Sequence, residues 1–286
     1  MDRTSPHHFY STGGHKIGSG QYGKVFESVQ TKPETKPKKV ALKVAEESAI
    51  SSREATTMAS LPSHQNVCGF FDTWVLDGKR YIAMELISGI TLREWLDSLD
   101  FDDTIDWRKI ISIFLQIFSG IAHLHEHRIF HGDIKPANIM IMERSNGTIE
   151  IKLVDFGYSS HFDSIPQQPT GSPIYSSPEI ANVQGIDGSS DLWAVGVIIL
   201  ECCSGGWQKP WFLKDAKNQH DVFQCLKSLN YSTSPFPAEY LQHENPNVAF
   251  LAGIAQRCLA LDKSERPRAQ DVVTELTAKL AELRDA

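Results

Sequence analysis

Over roughly the first ninety residues, apolar and polar positions alternate in short runs, at Gly14–Ile17, Lys24–Val29, Lys39–Ala45, Cys68–Val75 and Arg80–Leu86. A period of two is what half-buried strands produce, so five strands are expected. One stretch breaks the rhythm: Ser48–Ser60 holds no glycine or proline and stops before Pro62, which predicts a helix between the third and fourth strands. Between the second and third strands, Thr31–Lys39 carries two prolines and five charges and reads as a solvated hairpin tip.

After Gly89 the period changes to that of helices. Thr91–Leu99 is one, and Trp107–His127 is another, with Ile110, Phe114, Ile117, Ile121 and Leu124 at three- and four-residue steps. Such a face has to be buried. Further helices are predicted at Ser189–Cys203, Asp221–Leu229, Val248–Leu259 and Ala269–Leu283, with loop-like Pro166–Pro173 and Tyr231–Pro237 between them. The composite is an α+β chain with a small β-rich lobe followed by a larger helical one.

Composition narrows the classes of function. The 286 residues are 41% hydrophobic and 22% charged, a globular balance. Lysine and arginine number 28 against 35 acids, a net charge of −7, which argues against a broad electrostatic grip on nucleic acid. Cys68, Cys202, Cys203, Cys225 and Cys258 have neither metal-site spacing nor the density of a disulfide framework, so a reducing, intracellular and cytoplasmic setting is expected. The start lacks the apolar stretch of a secretory signal, and the longest apolar run, Leu192–Leu200, falls short of the ~20 residues that span a bilayer.

Four groups of residues carry chemistry. Gly18, Gly20 and Gly23 remove the β-carbons that would keep a backbone away from phosphates, although an ordinary glycine hairpin would read the same. A dinucleotide site would need a helix after the glycines, whereas Lys24–Gln30 alternates as a strand. Lys43 sits inside the apolar run Val40–Val44, where a cation calls for an anion. Phosphate oxygens or Glu54, on the predicted helix, would serve; an exposed face of an edge strand is the plainer alternative. The third and fourth groups are His131-Gly-Asp133-Ile-Lys135-Pro-Ala-Asn138 and Asp155-Phe-Gly157, each beside a short apolar strand. Two acids and an amide so placed can hold magnesium together with phosphate oxygens.

In this order, the motifs resemble those of the eukaryotic-type protein kinase family, serine/threonine branch, from about Gly14 to Leu283. Gly171-Ser-Pro-Ile-Tyr-Ser-Ser177-Pro178-Glu179 resembles the end of the family's activation segment, with Ser177 where alanine is usual. Asp191–Gly196 resembles its central buried helix, and Arg266 the arginine that pairs with the segment's glutamate, here Glu179. The resemblance implies a bilobal protein-kinase-like fold: a leader at 1–13, an N-lobe at 14–86, and a hinge with the C-lobe at 87–286. It implies ATP and Mg2+ as cofactors and a protein substrate with a serine or threonine acceptor.

Roles follow from the resemblance residue by residue. Lys43 would bind the α- and β-phosphates and pair with Glu54. Asp133 would orient the substrate hydroxyl, Lys135 would steady the transferred phosphate, and Asn138 and Asp155 would hold magnesium. Val25, Ala41 and Met140 would sandwich adenine beneath the loop of Gly18, Gly20 and Gly23. The backbone of Glu85 and Ile87, past the gatekeeper-like Met84, would bond its edge. Lys135 and Ser172 point to serine/threonine specificity. Gly132 stands where many members carry arginine, so activity is expected not to need a phosphate on Ser159, Ser160, Ser164, Thr170 or Ser176. Two rival readings are a kinase-like scaffold without turnover and a small-molecule kinase of the aminoglycoside or choline type. His123, His125 and His127, near a helix end, read as carbonyl caps rather than metal ligands, His131 as a brace for the loop, and Trp207 and Trp211 as local packing.

Overall fold

The computed structural model describes residues 9–11, 14–20, 23–31, 38–100, 105–162, 171–184, 187–206, 208–232 and 236–285. The hairpin tip at 32–37, most of the leader, Trp207 and most of Pro166–Pro173 lie outside the described residues, as do Gln21 and Tyr22 of the glycine loop. The chain divides into two compact units, Met1–Ser88 and Gly89–Ala286.

The first unit is built on five antiparallel strands: β1 (Lys16–Gly20), β2 (Gly23–Gln30), β3 (Lys38–Glu46), β4 (Phe70–Leu76) and β5 (Lys79–Glu85), in the order β1-β2-β3-β5-β4. Central β3 has a neighbour on each side, and its side chains alternate between two buried faces. Val40 and Leu42 pack with Tyr10, Trp74 and Ala83 in one cluster. Ala41 and Lys43 take the opposite face, because neighbouring residues of a strand point to opposite sides. Helix α1 (Ala49–Ser60) lies between β3 and β4 in the chain. Ser48 and Ser51 cap it reciprocally, and Leu61, ahead of Pro62, is already extended.

β1 starts later than its alternation suggests and runs to the glycines. The pairs Gly18↔Val25, Ser19↔Lys24 and Gly20↔Gly23 carry the hairpin to its tip. Gly23 sits at φ +146°, and a Cβ there would come 2.6 Å from the Val44 carbonyl oxygen, so only glycine lets β2 enter against β3.

The second unit opens with β6 (Ile90–Thr91), α2 (Leu92–Asp97) and α3 (Trp107–Glu126). Ile110, Phe114, Ile117, Ile121 and Leu124 of α3 are all buried, as expected. The helix is covered more broadly than that stripe, since Ile111, Ile113, Phe118 and Ala122 are buried too. Then come β7 (Ile129–Phe130), β8 (Ile139–Glu143), β9 (Ile149–Leu153), β10 (Ser160–His161) and the single turn α4 (Pro178–Ala181). α5 (Ser189–Cys203) is buried from Ser190 onward on every side. That is the lot of a helix apolar all round, and it makes α5 the post on which this unit is built. α6 (Gln219–Lys227), α7 (Ala238–Leu241), α8 (Pro246–Cys258) and α9 (Ala269–Asp285) complete the unit. Among the described residues, no helix is long and apolar enough to cross a membrane.

Candidate active site

In the first unit, the register of the sheet assembles one face. Val25 pairs with Lys43 and Lys43 with Ile82, while Ala41 pairs with Met84. Directly paired residues share a side, so Val25, Ala41, Lys43 and Met84 line a common surface. Lys43 is buried, and its ammonium meets Glu54 Oε1 of α1 at 2.5 Å. Both partners are almost wholly out of water, so removing either one strands a buried charge. The eleven-residue interval between them suffices because Ser48 starts α1 two residues after β3 ends.

At the glycine loop, an added Cβ would touch only Val25 from Gly18 and nothing described from Gly20. The Glu85 backbone N–H donates to the Gly69 carbonyl at 2.8 Å, and the Glu85 carbonyl accepts the Cys68 thiol at 3.8 Å. Ile87 follows β5 and is half-buried.

In the second unit, Asp133 heads a loop between β7 and β8, and every polar atom of its carboxylate is engaged. Oδ1 accepts the Ser172 backbone N–H at 2.8 Å. Oδ2 accepts the Lys135 ammonium at 2.7 Å and the Asn138 amide at 2.9 Å. Lys135 also donates to Ser172 Oγ at 2.7 Å, and Asn138 to the Asp133 carbonyl at 2.9 Å. The loop itself hangs on α5: Asp191 accepts the N–H of His131 at 2.9 Å and of Gly132 at 3.0 Å, with His125 Nε2 3.0 Å from the same carboxylate. His131 Nε2 lies 3.1 Å from the Val154 carbonyl oxygen. His131 thus braces the loop as expected, and His127 Nδ1 meets the His123 carbonyl at 2.8 Å as a cap.

Asp155 follows β9 with its side chain exposed and its backbone at φ +62°. The Val154 N–H donates to the Asn138 carbonyl at 3.0 Å, which sets Asp155 beside Asn138 in the chain path. Asn138 spends its amide N–H groups on Asp133, so the amide oxygen is the atom it can offer a cation. A carboxylate and an amide oxygen form the hard-oxygen set that suits Mg2+. No cluster of three or more histidine, cysteine or acidic side chains fit to hold a metal ion occurs among the described residues. Met140, in β8, is half-buried opposite Lys152 and Thr91.

Behind the segment that carries Ser172, Glu179 receives a two-pronged bond from Arg266 at 2.6 and 2.8 Å, and Ser190 adds a third at 2.8 Å. Burial pushes the Glu179 carboxyl up, but these bonds and the guanidinium charge hold it below the usual carboxylate range.

Two features escape a reading of the sequence. One is the anchoring role of Asp191 toward the loop. The other is a trio around buried Glu201 of α5, which accepts the Tyr175 hydroxyl at 3.1 Å and the Arg93 guanidinium at 3.3 Å. A lone acid in the apolar run Val197–Cys203 was the available signal, by the argument applied to Lys43.

Residues 11–276 match the family model described as protein kinase domain. The chain belongs to the protein kinase family. The bilobal α+β architecture expected from the motifs is the one found, with five antiparallel strands in the N-lobe and a helical C-lobe. Serine/threonine-protein kinase dst1 of Dictyostelium discoideum is 26% identical over 265 residues, covering 90% of this kinase chain and 33% of that protein. MAP kinase kinase kinase wis4 of Schizosaccharomyces pombe is 28% identical over 285 residues, covering 91% and 19%. Serine/threonine-protein kinase pkn3 of Myxococcus xanthus is 33% identical over 211 residues, covering 66% and 36%. The kinase chain spans no more than a third of the length of the first two relatives.

Proposed function

We propose that this kinase transfers the γ-phosphoryl group of ATP to serine or threonine hydroxyls of protein substrates, in an intracellular setting that suits its five free cysteines. The observation that carries this reading is the state of Asp133: a buried carboxylate held at both oxygens by Lys135, Asn138 and Ser172. A carboxylate so fixed can orient a hydroxyl and take up its proton, and positioning of that kind supplies much of the rate in phosphoryl transfer. Lys135, already between Asp133 and Ser172, steadies the phosphoryl group in flight and favours an alcohol over a phenol. Lys43, fixed by Glu54, binds the α- and β-phosphates. Asn138 and Asp155 supply oxygens to magnesium, which when bound neutralises phosphate charge. Val25, Ala41 and Met140 hold the adenine ring, the Glu85 and Ile87 backbone bonds its edge, and Gly18 and Gly20 let the backbone close on the phosphates.

Activity does not require phosphate on the activation segment. Gly132 offers no cation to clamp one, and Ser159, Ser160 and Ser176 are buried, out of reach of another kinase. Ser164 and Thr170 lie outside the described residues.

The test is transfer of radiolabel from ATP with Mg2+ to generic protein substrates, small alcohols and amines, using phosphatase-treated protein. Label is expected on protein serine and threonine, and Asp155→Asn is expected to lower turnover roughly a hundredfold or more while the fold, by circular dichroism, stays intact. Label on small molecules alone would establish the small-molecule reading. Absence of label everywhere, with ATP-analogue binding retained, would establish the scaffold.

A further inference from the structure

The peptide group joining His131 to Gly132 is gripped at both ends. Its N–H, on Gly132, donates to Asp191 Oδ1 at 3.0 Å. Its carbonyl, on His131, accepts the hydroxyl of Ser159 at 2.9 Å. Ser159 is fully buried and lies four residues beyond Asp155. Its own N–H is turned back on the Phe156 carbonyl at 3.0 Å, and the next two residues pair with β7, Ser160 opposite Phe130 and His161 opposite Ile129.

This grip falls on a peptide that precedes a glycine and can rotate. Gly132 stands at φ +78°, and glycine populates positive and negative φ about equally, so the peptide before it could turn over at little steric cost. Asp133 is the next residue. A turned peptide would send the Gly132 N–H away from Asp191 and shift Asp133 relative to Lys135 and Ser172. The contact also requires glycine: a Cβ at position 132 would come 2.8 Å from the Tyr158 carbonyl oxygen and 3.2 Å from the Phe130 ring. Absence of a side chain at 132 therefore lets the Tyr158–Ser159 backbone close on the loop, and the Ser159 hydroxyl locks it there.

We infer that Ser159 is a positioning residue: an uncharged latch that holds the His131–Gly132 peptide, and through it Asp133, by joining the loop to the segment after Asp155-Phe-Gly. The latch rests on the proposed transferase reading and deepens it. It supplies from within the chain, without a phosphate, the tie between segment and loop that a charged clamp would otherwise make.

Two measurements on Ser159→Ala, made in the full chain beside wild type and Ser159→Cys, test the latch. In steady-state kinetics on phosphatase-treated protein, loss of one neutral hydrogen bond should lower kcat about five- to tenfold. KM for ATP should stay within about twofold, because nucleotide contacts are untouched, and Ser159→Cys, which keeps a weak donor, should fall between the two. In amide hydrogen exchange, Ser159→Ala should speed exchange at residues 131–133 about five- to tenfold, with peptides of α5 and α9 unchanged. A uniform acceleration through the unit, or a fall in melting temperature with kcat held, would reduce Ser159 to a packing residue and overturn the latch. The exchange experiment needs no turnover. Failure of the transferase reading therefore shows as absent label in wild type, whereas failure of the latch shows as unaltered exchange at 131–133.

Discussion

Val183 adopts φ +54°, a left-handed conformation that a β-branched residue takes only under constraint. The constraint is the end of α4. The Val183 N–H donates to the Ile180 carbonyl at 3.1 Å and the Gln184 N–H to the Glu179 carbonyl at 2.8 Å, the paired bonds of a Schellman cap with valine where glycine is usual. An L-residue in that region costs about 1–2 kcal/mol, and glycine gives back about 0.5–1 kcal/mol through the freedom of its unfolded chain. Val183→Gly should therefore stabilise the protein by about 0.5–1 kcal/mol, visible as a rise of roughly 1–4 °C in melting temperature and a higher urea midpoint. Nothing in the pattern of residues pointed to this strain, because α4 is a single turn and has no periodicity to read. Lys43 was legible for the opposite reason. A cation inside a run of apolar residues has few ways to be satisfied, and Glu54 lay on the only helix within reach. Ser159 looked like any serine, and only the fold gives it a partner, 28 residues back in the chain.

Among the elements, α5 combines the most complete burial with a titratable group. Burial pushes the Glu201 carboxyl up to about 7, against the pull of the Arg93 charge and the Tyr175 hydroxyl bond. In the unfolded chain the same group titrates near 4.5. The folded state therefore holds its proton more tightly. The associated stability is complete below about 4.5, shrinks as pH rises, and is gone above about 7. Thermal melts of wild type should fall from pH 5 to pH 8 more steeply than those of Glu201→Gln, which keeps an acceptor for Tyr175 but has no proton to lose. Equal slopes would mean that Glu201 ionises normally. The longer helices were readable to within a few residues because their apolar spacing is strong, whereas the single turns α4 (Pro178–Ala181) and α7 (Ala238–Leu241) were not. The starts of the longer helices were not, since Asn218 and Asn245 begin α6 and α8 by capping, ahead of the first apolar residue. The two-residue strands β6, β7 and β10 are too short for any alternation, yet β7 and β10 are what bring Ser159 to the loop.

Across the molecule, a buried long-range tie of the second unit joins Glu179 to Arg266, 87 residues apart, with the arginine side chain fully buried. Arg266 also donates to the carbonyls of Ala260 at 3.0 Å and Ser189 at 3.0 Å, and lies 5.1 Å over the Trp193 ring. One side chain thereby fastens the turn before α9 to the start of α5 and to α4. Loss of one partner from a buried pair leaves an uncompensated charge and costs about 3–5 kcal/mol, while replacing both with apolar side chains is far milder. Arg266→Met and Glu179→Met should each lower stability by that order, and the double substitution by clearly less than their sum. The effect should also be local. Each unit closes its own core, the first around Val40, Leu42 and Trp74 and the second around α5. Faster amide exchange in Arg266→Met is therefore expected in peptides from 89–286, with the strands of the first unit protected as in wild type. Because the Glu179 carboxyl is held low by its bonds, the contribution of the pair is present at neutral pH and disappears as pH falls through that depressed value. The double substitution should accordingly flatten the acid limb of the stability curve for the second unit, whereas an unchanged acid limb would place the acid sensitivity elsewhere.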